Sequence, residues 1–160
     1  MSKRPVPTEE NGFLYPYIGL LRNSFRHWTG RDLLNPRLDD RDGARFLFHA
    51  PFAVAAQDTA KDPLFSYANR TALNLFAMRW EEFTALPSRL SAEPAKQDER
   101  ERLLEKVATR GFVDGYSGVR IGRHGRRFMI EDAMVWDVRN ASGGSSEGLA
   151  VMFKRWQLLP

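Results

Sequence analysis

The stretch Pro63–Met78, PLFSYANRTALNLFAM, constrains the fold of this chain more than any other stretch. Phe65 and Tyr67 alternate with Ser66, which is the pattern of a half-buried strand. Asn69 then ends the strand and suits a helix N-cap, because its side-chain oxygen can accept a hydrogen bond from a free N–H of the first turn. The apolar residues that follow share one helical face. They are Ala72, Leu73 and Phe76.

Length and composition limit the class of protein. A chain of 160 residues favours one domain. It contains no cysteine, which excludes disulfides, thiolate nucleophiles and cysteine metal ligands. No apolar run reaches the length of a membrane span, and residues 1–12 lack the apolar segment of a secretory signal. We therefore predict a cytoplasmic protein without a membrane contact, whose residues 1–12 are disordered.

The positive charge of the chain is modest, at a formal +4, and such a charge more often serves solubility than nucleic-acid binding. Four arginines cluster around one predicted hairpin. This cluster either protects an edge strand as a solvated tip or contacts an anion or a nucleic acid. Because exposed aromatic residues do not alternate with it, we favour the solvated tip and expect no nucleic-acid partner. The cluster comprises Arg120, Arg123, Arg126 and Arg127.

Residues 13–43 are predicted to form an amphipathic helix and a linker. Pro16 suits the first turn of the helix, and Gly30 suits its end. The apolar stripe either packs on its own domain, as in most surface helices, or mediates a homodimer, although so short a helix is marginal as a coiled coil. We favour packing and keep the homodimer as the alternative. The stripe consists of Ile18, Leu21, Phe25 and Trp28.

Residues 44–158 are predicted to form one α+β domain with a five-stranded antiparallel sheet and helices on one face. The predicted strands before the central helices are Phe52–Ala56 and Leu64–Tyr67, and the predicted helices are Ala44–His49, Arg70–Met78, Arg79–Leu86 and Pro94–Arg110. Three strands follow as a meander, with a turn at His124 and Gly125. Alternation in the long strand 126–138 predicts that its apolar residues share one face with Asp132. Those residues are Phe128, Ile130, Met134, Trp136 and Val138.

Asp132 is the most informative acidic residue of that strand. It cannot act with Glu131 at one site, because neighbouring residues of a strand point to opposite faces. A buried carboxylate needs a partner. That partner is either an arginine, such as Arg70, Arg79 or Arg120, or the polar group of a ligand, and we favour the ion pair.

The order of the elements resembles the PAS fold, and the sequence is similar to the MEKHLA domain, a PAS-like family. The motifs that carry the resemblance are DPLFSYANRTALNLF at 62–76, LPSRLSAEP at 86–94, ERLLEKVATRGFVDGYSGVRI at 101–121, GRRFMIEDAMVW at 125–136 and GLAVMF at 148–153. Two departures stand out: the family usually has a Ser-His pair where this chain has Ala56 and Gln57, and a glutamine where it has Leu149.

The resemblance implies a sensory or interaction module with a pocket between sheet and helices, and it implies no catalytic residue set. Without cysteine, the adduct photochemistry of flavin photoreceptors is excluded, while a noncovalent small molecule such as a flavin stays open. His27, His49 and His124 lie off the predicted pocket helices, so we expect neither haem nor a metal. The predicted ligand-binding residues are Tyr67, Asn69, Phe76, Met78, Trp80, Phe83, Phe112, Tyr116, Ile130, Asp132, Met134, Trp136 and Met152. For Asn69 the N-cap alone explains its presence.

Three functions follow from these patterns. The leading hypothesis is a non-catalytic sensor that holds a small, mostly apolar molecule and signals through a partner or a second copy. The alternative is a protein-interaction or dimerisation module with a filled core and no ligand. An enzyme has the least support, because no nucleophile–base pair or metal cluster is visible. An internal apolar cavity would favour the sensor, and a packed core with concentration-dependent dimers would favour the interaction module.

Overall fold

An antiparallel sheet forms the centre of the computed structural model, which describes residues 3–93, 96–140 and 144–160. The strands are β1 (Ala53–Gln57), β2 (Phe65–Ala68), β3 (Phe112–Ile121), β4 (Arg127–Arg139), β5 (Ser146–Phe153) and β6 (Arg155–Leu159). Their order is β2-β1-β5-β4-β3, and β6 pairs with β4. Strands β5 and β6 lie on the same side of β4, because β5 pairs with its second half and β6 with its first half. The predicted α+β class is confirmed, and β6 is a strand beyond the five that the sequence predicts.

The helices are α1 (Tyr15–Thr29), α2 (Asp40–His49), α3 (Arg70–Phe76), α4 (Trp80–Phe83) and α5 (Gln97–Arg110). They cover both faces of the sheet and not one face, as the sequence predicts, because buried residues of the strands lie on both faces. Helices α1 and α2 pack on one face, which we call the α1 face, and α3 and α5 lie on the other, which we call the α5 face. The short α4 lies beside the edge strand β2. Within the described part of the chain, no helix has the length and apolarity to cross a membrane.

Some helix bounds differ from the predicted ones. Helix α2 begins at Asp40 rather than at Ala44, because the Asp39 carboxylate accepts a hydrogen bond from the Asp42 N–H at 2.8 Å and caps it. Helix α5 begins at Gln97. The predicted start of that helix at Pro94 lies outside the described residues.

The apolar stripe of α1 packs within the chain, as favoured. The helix ends at Gly30, whose φ of 70° is left-handed. The Phe25 ring meets Trp136 of β4 edge to face at 5.0 Å, and the Trp28 indole donates to the Asp137 carbonyl at 2.8 Å. The fully buried members of the stripe are Ile18, Leu21 and Phe25.

Residues 3–12, for which the sequence predicts disorder, make specific contacts. The Arg4 guanidinium lies 3.8 Å from the centre of the Tyr17 ring. The Arg4 carbonyl accepts a hydrogen bond from the Trp80 indole at 3.1 Å. The structure therefore places this segment against α1 and α4. Met1 and Ser2 lie outside the described residues.

The buried Asn69 side chain joins three elements, and its predicted N-cap role is confirmed. Asn69 is 0% exposed. Its side-chain oxygen accepts from the N–H groups of Ala72 in α3, at 3.1 Å, and Val54 in β1, at 3.0 Å. Its amide nitrogen donates to the carbonyls of Leu47 in α2, at 2.9 Å, and Phe52, at 2.8 Å. The amide therefore uses both acceptor positions of its oxygen and both N–H donors of its nitrogen inside the fold.

Strand β4 changes face at Asp132, where φ is +53°. Before this bulge, Phe128 and Ile130 pack on the α5 face. After it, Met134 and Trp136 pack on the α1 face. The predicted single apolar face of this strand is therefore wrong, because a bulge inserts an extra residue and reverses the alternation.

We expect Asn69→Ala to lower the free energy of unfolding by about 3 kcal/mol, because it removes the cap and leaves buried N–H and C=O groups unpaired. Asn74→Ala is the matched control, since Asn74 is exposed on α3 and such changes stay within about 0.5 kcal/mol. Urea unfolding measures both. Equal losses in the two variants would contradict the role of Asn69.

We expect Asp132→Gly to leave stability unchanged or to raise it by up to about 1 kcal/mol, because glycine adopts a left-handed φ without strain. Asp132→Val should cost about 1 to 2 kcal/mol, since a β-branched residue tolerates that φ poorly. Thermal unfolding of the two variants measures the difference. A more stable valine variant would show that β4 runs without the bulge.

Candidate functional site

A cavity of about 80 Å³ lies between the α5 face of the sheet and helix α5. The sheet contributes the floor, α5 contributes the roof, and the 3-10 turn Ser88–Ser91 closes one end. The walls are mostly apolar, as in small-molecule pockets. Apolar wall residues include Ala55, Phe76, Leu103, Ile130, Val135 and Val151.

The roof of the cavity rests on a small contact area. Leu103 and Val107 are the buried residues of α5, and they pack on Val135 of β4. The remaining positions of the helix are largely charged. Two buried side chains and the side-chain hydrogen bonds of Gln97 and Arg100 attach it. Because this attachment is small, α5 can leave the sheet at a lower free energy than the central strands can.

The polar groups of the cavity lie on the turn, on α5, on β3 and at the end of β1, which contributes Gln57. The Arg100 guanidinium of α5 donates to the Ser88 hydroxyl at 2.8 Å, and the Ser91 hydroxyl donates to the Ser88 carbonyl at 2.7 Å. The Arg120 guanidinium of β3 donates to the Val119 carbonyl at 2.9 Å. Partial burial, and next the charge of Arg120, lower the pKa of the Arg100 guanidinium, which nonetheless stays charged at neutral pH.

Tyr116 presents a buried hydroxyl that has no hydrogen-bond partner among the described residues. Its ring lies 5.5 Å below the Arg120 guanidinium and over Gly118, where an added Cβ would lie 2.3 Å from the hydroxyl oxygen. Gly118 therefore leaves the space that the Tyr116 ring occupies. A buried hydroxyl without a partner is unfavourable by itself, and here it lines a cavity.

The structure brings three of the predicted ligand-binding residues into the cavity wall and leaves the others elsewhere. The three are Phe76, Tyr116 and Ile130. Residues that pack on the α1 face, on the opposite side of the sheet, are Tyr67, Trp80, Phe112, Met134, Trp136 and Met152. Residues that pack on the α5 face outside the cavity wall are Met78 and Phe83.

The two predicted polar anchors are engaged elsewhere. All the hydrogen bonds of Asn69 described above are internal. The Asp132 carboxylate has 63% of its side chain exposed and lies 3.4 Å from the Arg155 guanidinium, itself exposed. An arginine is thus its partner, as favoured, but the pair is on the surface and involves none of the three arginines named from the sequence.

Sequence reasoning missed the wall that the turn and α5 contribute. Arg100 precedes Leu103 and Leu104 by three and four residues, so all three lie on one side of the helix. This spacing in the sequence indicates a charged group beside an apolar surface on one side of the helix. None of the three histidines lines the cavity. Among the described residues, no group of three or more acidic, histidine or cysteine side chains could hold a metal.

Burial raises the pKa of the Tyr67 phenol on the opposite face, and the neighbouring Tyr17 phenol raises it further. Tyr67 therefore stays neutral, and its hydroxyl, like that of Tyr116, has no partner in the described structure. Both tyrosines have a buried hydroxyl without a described partner, and they lie on opposite faces of the sheet. Tyr67 is therefore a comparison, outside the cavity, for a substitution at Tyr116.

Comparison with known proteins places the fold. The family model described as the MEKHLA domain matches residues 16–158. The PAS domain of a protein from Colwellia psychrerythraea superposes with a TM-score of 0.58 at 16% identity, over 70% of this chain and 95% of that one. No curated protein matches the sequence.

Two photoreceptor structures are also similar. An RNA-binding light-oxygen-voltage receptor has a TM-score of 0.59 at 22% identity, over 76% of this chain and 34% of that one. The light-state dimer of the fungal blue-light photoreceptor Vivid has a TM-score of 0.57 at 17% identity, over 84% and 91%. At these identities the likeness shows the fold alone, which is that of PAS and light-oxygen-voltage domains.

We expect Tyr116→Phe to raise the free energy of unfolding of the ligand-free protein by about 1 kcal/mol, because it removes a buried hydroxyl that has no partner. Tyr67→Phe should do the same for the same reason. Urea unfolding measures both changes. A clear loss of stability in Tyr116→Phe would mean that the hydroxyl is already bonded within the protein.

Proposed function

The chain belongs to the MEKHLA domain family, and we propose that it is a sensory domain that binds a small, mostly apolar molecule in the cavity beneath α5. The observation that carries the proposal is the cavity itself, which has apolar walls and a few polar groups at one end. A module that only binds other proteins needs no such space between its sheet and a helix. We propose further that the domain is not an enzyme and that it works in the cytoplasm.

The size of the cavity limits the ligand. Pockets for drug-sized molecules have volumes of roughly 300 to 1,000 Å³, whereas this cavity measures about 80 Å³. Either the ligand is small, or α5 moves away from the sheet when it binds. In the form described here, the space does not accommodate the ring system of a flavin, so we propose a smaller molecule.

The sheet offers a route from the cavity to α1. Val135 lines the cavity, and the next residue, Trp136, packs on Phe25 of α1 on the opposite face. Val151 and Met152 of β5 form a second pair of this kind. A ligand that binds one arrangement of these strands more tightly than another would shift the population and so the packing of α1.

A dimerisation module is the second candidate, and the structure favours it less. The apolar stripe of α1 is buried against the sheet of its own chain. A homodimer through α1 would therefore have to use the polar side of that helix or separate the helix from the sheet. We keep dimerisation as a means of passing on the signal and not as the primary function.

We expect the purified protein to retain or bind a small apolar molecule, and Val151→Phe to abolish this binding, because the larger side chain fills the cavity. Since the space is available, the substitution should cost less than about 2 kcal/mol. Native mass spectrometry of the purified protein detects a retained molecule, and an NMR screen of small apolar compounds detects weaker binding.

Met152→Leu is the matched control, because it changes the adjacent residue on the opposite face and conserves side-chain volume. It should bind as the wild type does. Equal binding by a folded Val151→Phe variant, or no binding by the wild type in either experiment, would contradict the proposed function.

A further inference from the structure

We propose that the cavity binds a small carboxylate, with its anionic end held by Arg100 and Arg120 and its apolar end beneath α5. The inference rests on the proposed function, because it names the chemical class of ligand for the same cavity.

The first observation is that these two arginines lack an acidic partner. Both line the cavity and both are partly buried. Within the described ranges, neither has a carboxylate within 4.0 Å, whereas neighbouring arginines of the same region do. Those neighbours are Arg89, paired with Asp62 at 3.0 Å, Arg127, paired with Glu93 at 2.9 Å, and Arg123, paired with Glu82.

The second observation is that both guanidinium groups keep free donors. A guanidinium has five N–H groups in a planar fork that matches the two oxygens of a carboxylate. One nitrogen of the Arg100 guanidinium donates to the Ser88 hydroxyl, and one nitrogen of the Arg120 guanidinium donates to the Val119 carbonyl. In each case the bonds to described residues are fewer than the donors, so the remaining N–H groups can bind an anion.

The third observation is electrostatic. Partial burial, and after it the positive charge of Arg120, lower the pKa of the Arg100 guanidinium. Asp62 and Glu101 oppose this effect only in part, and the charge of Arg89 adds to it. The repulsion between two like charges beside an apolar cavity destabilises the ligand-free protein. An anion that binds between them relieves that repulsion.

The fourth observation is the unpartnered hydroxyl of Tyr116. It lines the same cavity, its oxygen is buried, and its ring lies beneath Arg120. A neutral phenol can donate its hydrogen to a carboxylate oxygen. The site therefore offers two cationic donors and one neutral donor around an apolar space.

The volume indicates the length of the apolar end. An apolar cavity of about 150 Å³ binds benzene, a ring of six carbon atoms, so a cavity of about 80 Å³ corresponds to an apolar chain of roughly three or four carbon atoms. Butyrate has this size, and butan-1-ol offers a similar shape without the charge. The pair separates the contribution of the anion from that of the apolar tail.

The test is an NMR titration of the isotope-labelled full chain with butyrate and with butan-1-ol. Butyrate should shift the amide resonances of Val135, Leu149 and Tyr116, and its Kd should be at least about tenfold lower than that of butan-1-ol, the ratio that one charge-assisted hydrogen bond gives. Arg100→Gln and Arg120→Gln should each raise the butyrate Kd about tenfold.

Arg102→Gln is the matched control, because Arg102 is an exposed residue of the same helix and does not line the cavity. It should bind butyrate as the wild type does. Arg100→Lys keeps the charge but loses the planar fork, so its Kd should lie between those of the wild type and Arg100→Gln. Dispersed spectra of each variant verify that it folds.

Equal Kd values for butyrate and butan-1-ol, or unchanged butyrate binding in both glutamine variants, would overturn the carboxylate assignment while the cavity remained a binding site. Failure of both probes to bind would overturn it as well, and the retained-ligand experiment would then decide the proposed function separately. If inorganic phosphate competes with butyrate and binds more tightly through the same arginines, the site is a phosphate site and the assignment is wrong.

Discussion

The hydrogen bonds of the buried Asn69 side chain are the interaction on which the remaining structure depends. They connect the start of β1, the end of α2 and the start of α3 through one amide group. Leaving such groups unpaired in a low-dielectric interior is costly, so these elements have one relative position. The floor of the cavity is therefore fixed, whereas its roof, α5, is attached by few buried side chains.

The two faces of the sheet have different roles in the function that we propose for the domain. The cavity lies on the α5 face, and the large aromatic core with α1 and α2 lies on the α1 face. Strand β4 contacts both faces by alternation, since Val135 lines the cavity and Trp136 packs on the α1 face. The bulge at Asp132 determines which residues of the strand lie on each face. We propose that a change in packing at the cavity reaches α1 through strands that carry contacts on both sides.

The sequence was sufficient for the order of the elements from α1 to β5, for the cap at Asn69 and for the ends of α1, because short-range signals determine these features. It did not predict β6. It was insufficient for β4, since a single left-handed residue reverses the alternation and aspartate adopts that conformation without a distinct pattern. The reversal moved Met134 and Trp136 away from the predicted pocket. The sequence also could not predict that Arg100 and Arg120 line the same cavity, because α5 and β3 approach each other only in the folded chain.

Native-state hydrogen exchange of the ligand-free protein tests whether the Asn69 junction is more stable than α5, since it measures the opening of both in one experiment. The amides of Val54 and Ala72, which donate to Asn69, should exchange only through global unfolding. The amides around Leu103 in α5 should exchange at a clearly lower free energy, through local opening of the roof. If the α5 amides exchange as slowly as the Val54 amide, the roof is as fixed as the floor, and the proposed difference in stability between them is wrong.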